Sequence, residues 1–201
     1  MLVTGIKSKP VYAPLRADTG GRYHLMLASG PGASALLRVL EELRSAAPQA
    51  IGNTRVMLAP ENAEVRLPFE RLAVGGVSVF DGVHALLGAF RTALDESFMG
   101  TRLYVAGPES FIGLAMKIAR EFDLNKDEIR AEEQGTLARR VHCVHCRHAS
   151  EEVRTNIVKC DGCGRWLLVR DHYSRRLAAY MGVMADAEAP GDLPPVKEVF
   201  L

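Results

Sequence analysis

The chain has 201 residues, is 48% hydrophobic and 24% charged, and carries a formal net charge of +1. This ordinary soluble composition supplies no bulk charge that would call for nucleic acid or a membrane surface. The length suffices for one domain of moderate size plus a small module. Met1 to Ile6 is too short an apolar run for a signal peptide and lacks a basic n-region. No stretch approaches the roughly 20 apolar residues of a membrane span.

Residues 1–22 hold Pro10, Pro14, Gly20 and Gly21 and read as an extended arm, with a short strand expected near Val11 and Tyr12. Tyr23 to Ala28 is a short apolar run, expected as a buried strand. Ser29-Gly30-Pro31-Gly32 breaks it, and a helix follows with Leu36, Leu37, Leu40 and Leu43 on one face. Pro48 lies just beyond its end. Thr54 to Ala59 reads as a second strand. Pro60 to Gly76 is mixed, and Val77 to Phe80 is a third strand candidate. Asp81 then stands where an N-cap would, ahead of a stripe made by Val83, Leu86, Leu87, Phe90 and Leu94. Thr101 to Ala106 is a fourth strand. Gly107-Pro108 opens a helix with Phe111, Leu114, Ala115, Ile118, Ala119 and Phe122 on its apolar face, and Ile129 to Ala131 is a last short strand. Strands alternating with helices imply an α/β domain over 23–136, built on a doubly wound parallel sheet.

All four cysteines of the chain lie between positions 143 and 163: Cys143-x2-Cys146-x13-Cys160-x2-Cys163. Two C-x2-C pairs at this separation have the spacing of a tetrathiolate metal site. Each x2 turn aims two thiolates at one ion. Four thiolates suit a structural zinc, with no ligand position left open. The same set suits one iron, which could carry a single electron. His142, His145, His148 and His172 crowd the site, and one of them could replace a cysteine. Metal-type cysteines without a signal sequence point to a reducing, cytoplasmic compartment.

A small zinc-ribbon-like metal module is expected over 137–184, with short strands at Val141, Asn156 to Lys159 and Trp166 to Arg170, and a helix over Tyr173 to Met181. Trp166 sits in an apolar run and is expected in the core. From 139 to 182 there are nine Lys or Arg against four Asp or Glu, a local excess of +5. Such an excess is a solvated face or a surface for an acidic protein. The tail over 185–201 carries Pro190, Pro194 and Pro195 and is expected to be extended, lying on a partner.

The loop Ser29 to Gly32 is glycine-rich and opens a helix, where backbone N–H groups can hold a pyrophosphate. In a parallel sheet, the turn at Gly107-Pro108 would open on the same edge, where ligands bind. Gly30, Gly32, Gly107 and Pro108 are therefore the candidate nucleotide turns, expected to be vestigial and to bind NADPH weakly or not at all. No haem ligand set and no nucleophile–base pair can be assembled. His24 and His84 fall in a strand and a helix, and Ser29 and Ser110 fall in the two loops.

HLMLASGPGASALLRVLEEL and LYVAGPESFIGLAMKIARE resemble the pyridine-nucleotide domain of ferredoxin-reductase-like flavoenzymes. Ala106 stands where many of those have cysteine, an arm of 22 residues is too short for a flavin barrel, and there is no plant-type C-x4-C-x2-C cluster. YVAGPESFIGLAMKIAREF, the cysteine site and WLLVRDHYSRRLAAYMGVMADAEAPGDLP resemble the small DmmA-type subunit of bacterial dimethylamine monooxygenases. That resemblance implies a cytoplasmic hetero-oligomer that uses NADPH and O2 to convert dimethylamine to methylamine and formaldehyde, in methylated amine degradation. Oxygen insertion at an N-methyl group would be followed by collapse of the carbinolamine. It places haem in an N-demethylase partner, and flavin and an iron–sulfur cluster in a reductase partner. This chain, not catalytic alone, would serve assembly, reductase docking or electron relay. The alternatives are a rubredoxin-like single-iron electron-transfer protein and a zinc-ribbon nucleic-acid binder. The second turn, CDGCG, is similar to a rubredoxin knuckle; the first has Arg147 in place of the following glycine, which favours zinc.

Overall fold

A computed structural model describes residues 8–60, 65–72 and 74–201. The Met1 to Ile6 run, and part of the mixed stretch after Pro60, lie outside the described residues. The chain forms two compact units: Tyr12–Gly135, and Met1–Val11 together with Thr136–Leu201. Residues 12–22 of the arm thus belong with the α/β unit, and the tail from Ala185 belongs with the cysteine unit.

The Tyr12–Gly135 unit contains β1 (Tyr23–Ser29), α1 (Ala33–Ala46), β2 (Thr54–Ala59), α2 (Arg66–Arg71), β3 (Gly76–Val79), α3 (Gly82–Asp95), β4 (Thr101–Gly107), α4 (Glu109–Ala119) and β5 (Ile129–Glu133). The five strands are all parallel, in the order β3-β2-β1-β4-β5. β1 and β4 are continuous apolar runs because both faces of a central parallel strand are covered. Met26, Ala28 and Tyr104 pack on one side with Leu36, Val39, Leu40 and Leu43 of α1 and Phe69 of α2. Leu25, Leu27, Leu103 and Val105 pack on the other with Leu86 and Phe90 of α3 and Ile112 and Ala115 of α4. On α4, Ile112 takes the buried place expected of Leu114, which is half-exposed. Asp81 stands at the N-cap position of α3, but its side chain makes no cap hydrogen bond.

No strand forms at Val11–Tyr12. The arm is held instead by three carboxylates. Glu132 on β5 accepts the Leu15 N–H at 2.5 Å and also binds Arg38 and Gln134. Glu42 accepts the Ala17 N–H at 2.9 Å. Asp18 takes Arg102 Nε at 2.9 Å and Arg130 at 3.0 Å, and its own N–H donates to the Tyr104 hydroxyl at 2.9 Å. Leu15 is thereby driven into the α1 side of the core.

The cysteine unit contains β6 (Arg139–Cys143), β7 (Ala149–Val153), β8 (Ile157–Lys159), β9 (Trp166–Ser174) and β10 (Ala179–Met184), in the order β7-β6-β10-β9-β8. β6 and β10 run parallel; the other pairs are antiparallel. The helix expected over Tyr173 to Met181 is absent. The chain turns back after Ser174, with Ala178 at φ 51°, and Tyr180 returns beside Tyr173 with the rings edge-on at 5.0 Å. Trp166, expected in the core, is exposed because it begins β9 on the outward side; Leu167 takes the buried place.

The tail is tied to its own unit. Val199 and Phe200 N–H groups donate to the Arg154 carbonyl, Asn156 and Lys197 exchange hydrogen bonds, and the Leu137 N–H reaches the Leu201 carbonyl. The Arg139 guanidinium lies 4.0 Å from the Tyr180 ring centre and 3.7 Å from that of Phe200, with Asp171 at 2.6 Å. A buried guanidinium is tolerable there because a carboxylate and two aromatic faces meet it.

Candidate metal centre

β6 ends at Cys143, and β8 is followed directly by Cys160, so each first cysteine enters its turn from a paired strand. The two turns repeat the same backbone pattern. Arg147 N–H donates to the Cys143 carbonyl and Cys143 N–H to the His148 carbonyl; Gly164 N–H donates to the Cys160 carbonyl and Cys160 N–H to the Arg165 carbonyl. Arg147 at φ 66° matches Gly164 at φ 72°. The left-handed conformation costs a non-glycine residue roughly 1–2 kcal/mol. The first turn therefore adopts the glycine-type knuckle without the glycine. The sequence difference that favoured zinc over iron is not a difference in backbone.

The four Sγ atoms lie within 4.8 Å of one another. Cys143 and Cys163 sulfurs are 3.8 Å apart, and those of Cys146 and Cys160 are 3.5 Å apart. Thiolates at roughly 2.3 Å from a tetrahedral ion would be about 3.8 Å apart, so the set fits one ion. Cys143 and Cys160 are buried, Cys163 is half-buried and Cys146 is exposed. Without a cation the sulfurs share protons. At Cys146 the His148 N–H favours the thiolate, but desolvation and hydrogen bonds with the other three thiols outweigh it, and the pKa is pushed up to about 12. The Arg165 N–H, aided by its guanidinium, draws Cys163 down to about 6. A divalent cation held by Cys143, Cys146, Cys160 and Cys163 would replace these protons and leave each cysteine a thiolate.

None of the four nearby histidines belongs to the sulfur cluster. His145 and His148 are exposed, the latter 4.0 Å from Asp161, while His142 and His172 are half-buried on β6 and β9. His24 is buried with Nδ1 3.3 Å from the Tyr104 hydroxyl, and His84 is exposed on α3.

The two candidate nucleotide turns do meet at one edge of the parallel sheet. A Cβ on Gly32 would overlap the Ala106 carbonyl, and one on Gly107, at φ 151°, would sit 3.0 Å from both the Ser29 carbonyl and the Phe111 ring. Gln134 N–H donates to the Gly107 carbonyl, and Gly135 lies against Pro31 and Pro108. Backbone and proline rings thus fill the space between the turns. The first turn of α1 carries no basic residue and that of α4 carries the buried Glu109. An arrangement that places a carboxylate, and no cation, at these helix starts does not suit a pyrophosphate.

The model of the DmmA-like dimethylamine monooxygenase subunits matches residues 4–129 with its N-terminal domain and 140–183 with its C-terminal domain. The chain belongs to this family. The heme-dependent oxidative N-demethylase delta subunit of Ectopseudomonas mendocina (strain ymp) is 37% identical over 111 residues, which span 55% of this chain and 63% of that relative. The match therefore spans less than two thirds of the relative's length. Among solved structures, the ferredoxin reductase of carbazole 1,9a-dioxygenase (FAD apo form) is similar at a TM-score of 0.43 and 16% identity, over 59% of this chain and 34% of that one. A ferredoxin-NADP+ reductase from Plasmodium falciparum is similar at 0.44 and 15%, over 56% and 53%.

The carboxylates that bind the arm, and the left-handed Arg147, were not found by sequence reasoning. Nothing in a single acidic residue announces a partner 117 positions away, as with Glu132 and Leu15. The repeated knuckle spacing was a signal for Arg147: it occupies the fourth position after Cys143, as Gly164 does after Cys160.

Proposed function

We propose that this chain is a supporting subunit, without haem of its own, of a dimethylamine monooxygenase. The enzyme would consume one NADPH, one proton and one O2 per dimethylamine and release methylamine, formaldehyde, water and NADP+. The match of both of its domains to the DmmA-like family carries this reading. The likeness to a delta subunit of a heme-dependent oxidative N-demethylase supports the same placement, and haem and reductase chemistry would then lie in other subunits. In this chain Cys143, Cys146, Cys160 and Cys163 would hold one zinc, a Lewis acid that here would serve only to fix the fold. The residues' part is to hold the two knuckles together and to present the unit's basic face.

The test is to co-express the presumed haem and reductase subunits with this chain intact, truncated after Met184, or absent. Dimethylamine-dependent NADPH oxidation and formaldehyde release are then measured. The expected result is no demethylation by this chain alone and impaired turnover without it. Full coupled activity in its absence would refute the assignment.

A second reading has its own support. Equivalent backbone at both knuckles, an N–H to sulfur hydrogen bond in each and the exposed Cys146 edge also suit a single iron that relays electrons. Metal analysis with a visible spectrum of protein made in iron-supplemented medium separates the two. One colourless zinc supports the first reading, and one iron with thiolate-to-metal absorption supports the second.

A further inference from the structure

From Ala185 to Pro195 the chain reverses the charge of the unit around it. That stretch carries Asp186, Glu188 and Asp192 and neither lysine nor arginine, whereas residues 139–182 carry an excess of +5. It borders one face of the second sheet. Leu168 on β9 and Val183 on β10 are register partners, so their side chains share a face. Leu167 and Val169 point to the other face, into the small apolar clusters. Leu168, Val183 and Met184 are only half-buried, and with the acidic stretch they line a groove of about 640 Å³, the size of a ligand cleft. Val144 and His145, the residues between Cys143 and Cys146, line it too. The Val144 N–H donates to the Gly182 carbonyl at 3.1 Å and ties this knuckle to β10. The acidic stretch is held in place by its own bonds: Gly191 N–H donates to the Asp186 carboxylate at 3.0 Å, and Asp192 N–H to the Ala189 carbonyl at 3.0 Å. Arg170 also lines the groove and is engaged within the chain. Among the described residues, neither Glu188 nor Asp192 forms an ion pair.

We infer that this groove receives a basic segment of a partner protein, with an apolar side chain on Leu168, Val183 and Val144 and lysines or arginines against Glu188 and Asp192. The inference rests on the subunit reading above and names where another subunit's chain meets this one. Burial of the apolar anchor supplies most of the affinity. The carboxylates choose the sign of the occupant and speed its arrival. An acidic segment or a phosphate backbone would set like charges against carboxylates that have no cation of their own. Because the first knuckle forms part of the wall, the segment would lie beside the metal centre.

The experiment uses the full-length chain titrated into the complex of the remaining co-expressed subunits, at low and at raised salt. Glu188→Lys with Asp192→Lys reverses two exposed charges, and retained metal content and melting temperature check that the unit still folds. The double variant should associate about tenfold or more weakly, and salt should no longer weaken its association. Val144→Ser removes an exposed apolar contact; it should weaken association while leaving the salt dependence as it was. Glu41→Gln, on the exposed side of α1, should change neither. A short peptide of alternating leucine and lysine should compete with the complex for the unaltered chain, and one of alternating leucine and glutamate should not. Unchanged affinity and salt dependence in the double variant would overturn the groove while leaving the subunit assignment standing. Failure of the unaltered chain to associate would overturn both. Competition by butylammonium chloride equal to that of the leucine–lysine peptide would replace the basic segment with a small organic cation.

Discussion

At the scale of residues, the four cysteines differ in what they hold and therefore in what their loss should do. Cys160 is buried and meets Cys143 and Leu167 in a small apolar cluster, so its thiolate is both ligand and packing. Cys160→Ser should leave three thiolates and lower metal content and thermal stability together, because metal binding is part of the folding energy of such a module. Full occupancy with unchanged melting would defeat the tetrathiolate assignment. Acidity acts on the same atoms. Cys146 is pushed up to about 12 and Cys163 drawn down to about 6. Binding must expel a proton that Cys146 holds throughout the neutral range, so metal affinity should rise with pH and fall as protons compete. A titration of metal uptake against pH that stayed flat from mildly acid to mildly alkaline conditions would contradict this.

At the scale of elements, the strands of the parallel sheet were legible because their apolar runs are short, unbroken and bounded by Gly, Pro or polar residues. β2 begins and ends as expected, and β1, β4 and β5 gain only one or two residues at their ends. The β9–β10 hairpin was not legible. Tyr173, Leu177, Tyr180 and Met181 fall at helical spacing, whereas what decides the fold is remote: β10 lies between β6 and β9, which a local window cannot see. The four-cysteine cluster was legible from spacing alone, while the arm was not. Its attachment gives a test. The Glu132 carboxyl is held below its usual range: the Leu15 N–H, Gln134 and Arg38 together outweigh a desolvation that by itself would raise it. A depressed carboxylate contributes stability that is fully present above its unfolded value and is lost as pH falls through the folded one. The arm should therefore loosen in acid, as the pH falls below the ordinary glutamate range. Glu132→Gln keeps the shape but removes the charge, and should cost about 1–3 kcal/mol. Amide exchange at Leu15 and Ala17 should quicken in the variant at neutral pH. Protection equal to that of the unaltered chain would show that packing of Leu15 alone holds the arm.

At the scale of the whole molecule, the division into units predicts how the protein comes apart. The Tyr12–Gly135 unit carries two large apolar clusters, one on each face of its sheet, and none of its buried residues is a cysteine. The Thr136–Leu201 unit has two small clusters, one built on Cys143, Cys160 and Leu167 and the other on Val141, Tyr173 and Tyr180. A core that small is below what an independent fold ordinarily needs without a metal or disulfide to supplement it. Its remaining ties converge on the same scaffold. The tail is hydrogen-bonded to Arg154 and Asn156 between β7 and β8, and Phe200 covers Arg139 at the start of β6. Stripping the metal from the full-length protein with a strong chelator should therefore unfold this unit first and release the tail with it, while the α/β unit keeps its fold. Heating should then show one transition near the original upper midpoint, and proteolysis should trim the chain to a fragment ending near Gly135. Adding back one equivalent of zinc should restore protection from Thr136 onward. A single cooperative loss of both units on chelation would show that they stabilise one another. No change on chelation would show that the apolar clusters suffice and that the four thiolates are not structural.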